Sequence, residues 1–181
     1  MSHSPQFHLT EIKSGWLEAY IVLGGARYDL SAHCALSEPL KDLFRCLCDV
    51  HGLDAPPDMA VDYHHLEFEW VGEGWLYYWS LAPGPGGRLE VRVEFKGKRE
   101  VGGVEYPVWS ICFDTDWAAL AGQVFDQSAS LLRQYGFAGY LDRWSRDFPA
   151  GQMMRLGRLL HGRSSQCEGL TGELAYLGGT A

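Results

Sequence analysis

The sequence predicts an α+β fold: an antiparallel β-sheet, a meander with an N-terminal hairpin, packed on one face by helices that lie mainly toward the C-terminus. Two observations carry this. Apart from one early helix, β-prone runs occupy the chain to residue 114 and helical periodicity follows, the grouped order of an α+β domain and not the alternation of a parallel βαβ fold. In RLEVRVEF, Leu89, Val91, Val93 and Phe95 alternate with Arg88, Glu90, Arg92 and Glu94, which describes a sheet with one wet side.

Leu17–Leu23 and Tyr28–Leu36 are apolar runs separated by Gly24-Gly25, a pair that supplies the positive φ angles of a tight hairpin turn. SEPLKDLFRCLCDVHG then reads as a helix, with Ser37 as cap, Pro39 in the first turn, Leu40, Leu43, Phe44 and Leu47 at helical spacing, and Gly52 as stop. From Met59 to Asp114, VDYHHLEFEW, WLYYWSL, RLEVRVEF and VWSICF read as strands of an antiparallel meander, with APGPGG and KGKREVGG as loops. VWSICF is apolar on both faces and is expected near the sheet centre. Thr115 or Asp116 caps a helix whose apolar stripe runs from Trp117 through Leu120, Val124 and Leu131 to Tyr135, and Gly136 ends it. A shorter helix carries Tyr140, Leu141 and Trp144, and Pro149 starts another that runs to Gly162. The Gly- and Ser-rich remainder predicts a mobile tail at 164–181, after a single domain at 1–163.

A chain of 181 residues and 20.3 kDa suits one domain, which buries roughly 70% of its unfolded surface. Seven Trp, nine Tyr and eight Phe require a core or a partner. Five cysteines without a CxxC pair point to a reducing compartment, and MSHSPQF has no basic flank with an apolar segment, so a cytoplasmic protein with no membrane partner is expected. A formal charge of -8 repels phosphate backbones, which disfavours nucleic acid, and attracts cationic partners. Arg143, Arg146, Arg155, Arg158 and Arg163 cluster near the C-terminus, so the remainder is more acidic than the total suggests.

VDYHHLEFEW holds the best candidate chemistry. On a strand, His64 and Asp62 share a face with Leu66, Phe68 and Trp70, while His65, Glu67 and Glu69 share the other with Tyr63. The two histidines diverge and HHLEF is not H-E-x-x-H, so no metal site and no cofactor are assigned. Glu67 and Glu69 lie about 7 Å apart by strand geometry, a spacing common on solvated acidic faces. Ser110 and Ser80 lack a nucleophile elbow, His33 and Cys34 are turned apart if the strand continues through them, and Cys46 and Cys48 do not face each other on a helix. APGPGGR lacks the GK[ST] end of a phosphate loop. In WLYYW, Trp75, Tyr77 and Trp79 share one face and Tyr78 takes the other, and an aromatic surface beside carboxylates is the composition of a protein-binding site.

The segment SAHCALSEPLKDLFRCL resembles a strand followed by a DPL-x-DLL-like helix start seen in small uncharacterised bacterial α+β proteins, some of them immunity proteins encoded beside secreted toxins; Glu38 stands where that pattern has Asp. The resemblance is structural and carries no functional residue. With it, the expectation is a non-enzymatic cytoplasmic binding protein, an immunity or antitoxin-like inhibitor that presents Glu67, Glu69, Glu73 and Trp75, tuned by His65, to a basic partner such as a toxin. The alternative is a small-molecule-binding or hydrolytic domain with a carboxylate and histidine pocket between sheet and helices. An assembly subunit would instead need a large apolar self-association surface.

Overall fold

A computed structural model describes residues 4–51, 66–162 and 169–177, and the fold is α+β as the sequence predicts. Strands β1 (Gln6–Lys13), β2 (Trp16–Leu23) and β3 (Ala26–His33) form a three-stranded antiparallel sheet. The turn at Gly24 and Gly25, with φ of 58° and 86°, joins β2 to β3 where the hairpin was expected. A second turn at Ser14 and Gly15, with φ of 51° and 80°, adds β1, so the N-terminal hairpin is a meander. Its alternation is hard to read because a bulge between Leu9 and Glu11 shifts the inward positions from Phe7 to Ile12 out of a two-residue period.

Helix α1 (Pro39–His51) leads through residues outside the described set to the second sheet. That sheet has the order β4 (Leu66–Val71), β5 (Trp75–Pro83), β6 (Arg88–Gly97) and β9 (Ser110–Asp116), all antiparallel. Its covered face is built of cross-strand rows such as Phe68, Trp79, Val93 and Ile111, beside Trp70, Tyr77 and Phe95. Helix α1 packs on β4 and β5, placing Leu43, Phe44 and Leu47 in the core. KGKREVGG, expected to be loop, supplies a short hairpin, β7 (Arg99–Val101) with β8 (Val104–Tyr106), between β6 and β9. VWSICF was expected at the sheet centre but forms most of the edge strand β9. The register puts Ser110, Cys112 and Asp114 on the wet face and only Ile111, Phe113 and Thr115 in the core.

Helix α2 (Trp117–Trp144) is capped by Asp116, whose carboxylate accepts the Ala119 N–H at 2.9 Å, and Gly136 breaks its helical path with φ 65° and ψ 177°. Its first half lies along β1 and closes that edge. Gln123 Oε1 accepts the Phe7 N–H at 2.7 Å and Gln127 Oε1 accepts the Leu9 N–H at 3.3 Å. Four helical residues rise about 6 Å and two strand residues about 6.8 Å, so the two spacings match closely enough for consecutive glutamines to serve alternate amides. Helix α3 (Ala150–His161) follows Pro149 and stops at Gly162, as expected. Within the stretch predicted to be a tail, Gly169–Leu177 forms helix α4, because Tyr176 and Leu177 find apolar cover. Gly157 makes room for it: a Cβ there would run into Tyr176 and Phe125. Among the described residues no helix is long and apolar enough to cross a membrane.

Candidate functional site

The uncovered face of the four-stranded sheet is set by strand register. One row across it reads Glu69, Tyr78, Glu94 and Ser110, and the next reads Glu67, Ser80, Arg92 and Cys112, with Glu90 and Asp114 paired in the row beyond. Each strand turns its buried apolar side chains to the opposite face, so among the described residues this one is left open and mostly polar, with Val71 and Leu76 half-buried in the row next to the β4–β5 turn.

The charges on this face are unevenly matched. Glu94 is held by Lys96 at 2.8 Å and approached by Arg92 at 4.0 Å, and the hydrogen bond from Lys96 keeps its carboxyl below the usual range. Lys96 also sits 4.7 Å over the Tyr78 ring. Glu67, Glu69 and Glu73 are exposed and have no ion-pair partner among the described residues. The Tyr78 hydroxyl donates to the Glu67 carboxylate, and that bond, with lesser contributions from burial and neighbouring carboxylates, pushes the phenol up to about 12.

The expected site residues therefore separate. Glu67 and Glu69 stand together on the open face, and Glu73 lies in the β4–β5 turn at the end of the same strand. Trp75 faces the other way: its ring stacks on Trp16 at 5.6 Å, and its indole N–H donates to the Ser31 carbonyl at 3.4 Å. The aromatic group beside the carboxylates is Tyr78. His65, like His64, Asp62 and Tyr63, lies outside the described residues. Among the described residues no three His, Cys, Asp or Glu side chains converge as metal ligands. Cys46 and Cys48 are buried in α1, where burial raises both thiols to about 11. His33 and Cys34 were expected to diverge. The chain leaves the strand at His33, and both side chains come over Gly15, the Cys34 Sγ 2.9 Å and the His33 Nε2 3.4 Å from where a Cβ would stand.

A second constellation joins the two sheets and escaped sequence reasoning. Arg99, the first residue of β7, is only 7% exposed. It donates to the Tyr77 hydroxyl and to Glu18 Oε2, each at 3.2 Å, and Glu18 Oε1 accepts from the Ser31 hydroxyl at 2.7 Å. Tyr106 and Trp75 flank the guanidinium at 4.8 and 5.6 Å. Burial disfavours the cation, but Tyr77 and Glu18 outweigh it and hold the Arg99 pKa above its ordinary value. Its Nε is buried without a partner among the described residues. The arrangement ties the β7–β8 hairpin to β2. No signal in KGKREVGG separates Arg99 from the solvated cations around it.

On the helical side, a cleft of about 450 Å³ lies between α1 and the α2–α3 connection, lined by Glu38, Lys41, Arg146, Asp147, Phe148 and Gln152. Glu38 accepts from Lys41 at 2.9 Å and Arg146 at 2.8 Å, which lowers its pKa, so two of the cleft's cations are already paired. Arg155 is likewise paired with Asp49 at 3.0 Å. The C-terminal arginine cluster thus turns partly inward onto α1.

No protein-family model and no curated protein sequence matches the chain.

Proposed function

We propose that this protein is a non-enzymatic binding protein, of the immunity or antitoxin-like inhibitor kind, that sets the open face of its four-stranded sheet against a cationic protein surface. The observation that carries the reading is the strip of Glu67, Glu69 and Glu73. Glu67 and Glu69 on the open face and Glu73 in the adjoining turn, all exposed and without an ion-pair partner among the described residues, add a local negative field to a chain of formal charge -8. Such a field speeds the encounter with a basic partner and is screened by salt. Tyr78, at the centre of the face beside Glu67, offers a ring and a hydroxyl of the kind that anchors interfaces. The placement of Glu67 on an open face favours this reading over a catalytic carboxylate in a pocket.

The test is capture from lysate of the native host at low and high salt, with wild type beside a Glu67→Lys, Glu69→Lys variant, followed by association kinetics with the purified captured protein. A basic protein retained at low salt, lost with the variant and slower to associate as salt rises supports the reading. An association rate indifferent to salt, or equal binding by the variant, overturns it.

A further inference from the structure

We infer that the groove between α3 and α4 is a binding site for a free α-amino acid with an apolar side chain. The inference is independent of the acidic strip, which lies on the four-stranded sheet. The groove holds about 380 Å³, toward the small end of the range for small-molecule sites, roughly 300–1,000 Å³. Helical spacing builds its walls. Ala150, Met154 and Arg158 recur every four residues as one row along α3, and Glu173 and Leu177 form the row that α4 contributes. Ala150 and Met154 are half-buried and Leu177 is buried, so together they offer an aliphatic side chain an apolar floor.

The charges commit the groove to this ligand. Of the C-terminal arginines, Arg146 and Arg155 are held by Glu38 and Asp49, and Arg143 donates to the Gly139 carbonyl and lies over the Tyr135 ring. The Arg158 side chain has no ion pair or hydrogen bond among the described residues, and neither does that of Glu173 on the other wall. Opposite charges thus line one groove without bridging it. An anionic ligand satisfies Arg158 but is repelled by Glu173, and a cationic ligand does the reverse. A zwitterion satisfies both, its carboxylate accepting from the Arg158 guanidinium and its ammonium donating to the Glu173 carboxylate. A free α-amino acid carries the two charges on one carbon and leaves its side chain to the floor of Ala150, Met154 and Leu177. Within a peptide the same carbon carries neither charge.

The test follows the backbone amides of α3 and α4 by NMR in the full chain as L-leucine, N-acetylleucine, leucinamide or glycine is added to about 50 mM. N-acetylleucine lacks the ammonium, leucinamide the carboxylate and glycine the side chain. The expected result is saturation by L-leucine with a Kd on the order of 1 mM. Each analogue binds roughly three- to fivefold more weakly, as suits charges open to water. Glu173→Gln removes the preference for leucine over N-acetylleucine and keeps that over leucinamide, and Arg158→Gln does the converse. Gly151, in the groove wall, has nothing within 4 Å of where a Cβ would stand, so the helix accepts a side chain there. Gly151→Leu therefore takes up room in the groove and abolishes saturation, while the melting temperature holds or rises. No saturable shift in α3 and α4, equal binding of leucine and its analogues, variants that keep both preferences, or leucine binding unchanged by Gly151→Leu overturns the inference.

Discussion

Replacing Glu18 by glutamine removes one charge from a cluster in which Arg99 cannot reach bulk water. The shape is nearly unchanged, and the new carbonyl still accepts from the Ser31 hydroxyl. What is lost is the carboxylate 3.2 Å from the guanidinium. At that distance Coulomb attraction is about 5 kcal/mol for an effective dielectric of ~20. Removing one partner of a fully buried pair costs about 3–5 kcal/mol. Here the Arg99 side chain is 8% exposed but that of Glu18 is 38% exposed, so water replaces part of what the carboxylate supplied. The expected loss is about 2 kcal/mol, near 4–8 °C in melting temperature for a chain of this length. In an Arg99→Met background no cation remains to be orphaned, and Glu18→Gln should cost less than ~0.5 kcal/mol. Urea unfolding of wild type, both single variants and the double variant, followed by tryptophan fluorescence, measures the coupling directly. Additivity within ~0.5 kcal/mol would refute the claim that Glu18 compensates a buried charge.

Two further outcomes test other parts of the structure. Because the Tyr78 phenol is pushed up to about 12, chiefly by its hydrogen bond to Glu67, Glu67→Gln should return its titration toward the ordinary value near 10, read by NMR of the ring carbons. The sign follows: a raised folded pKa contributes stability that is full below the unfolded value near 10 and lost as pH rises through about 12, and the variant loses the part of that dependence that comes from Glu67. Gly157→Ala drives a methyl into Tyr176 and Phe125, so amide exchange across Gly169–Leu177 should accelerate while α1 is unaffected, with a stability cost of about 1–3 kcal/mol. Unchanged protection of α4 would show that the helix is not seated through Tyr176.

Legibility in the sequence varied with how local the signal was. Helix α3 was readable because Pro149, the Met153, Leu156 and Leu160 spacing and Gly162 all lie within a few turns. The β2–β3 hairpin was equally open, since Gly24-Gly25 names its own turn. Strand β1 was hidden by a bulge that breaks the alternation, and α4 by a composition that reads as a tail until Phe125 and Gly157 provide its seat. Within the candidate site, the shared face of Glu67 and Glu69 followed from strand parity. The position of Trp75 did not, because parity alone cannot say which face of β5 is covered.

The sequence by itself determined the fold class, the two-faced character of β6, the acidic field and the grouping of Glu67 with Glu69, because each depends on neighbours within one element or on summed composition. Only the tertiary structure decided which face stays open, that Trp75 leaves the carboxylates and Tyr78 joins them, and that VWSICF ends at an edge. Only it brought Arg99 to Glu18 across 81 residues of chain. These outcomes rest on long-range register and packing, where a side chain's partner is chosen by the path of distant strands and leaves no mark in the residues around it.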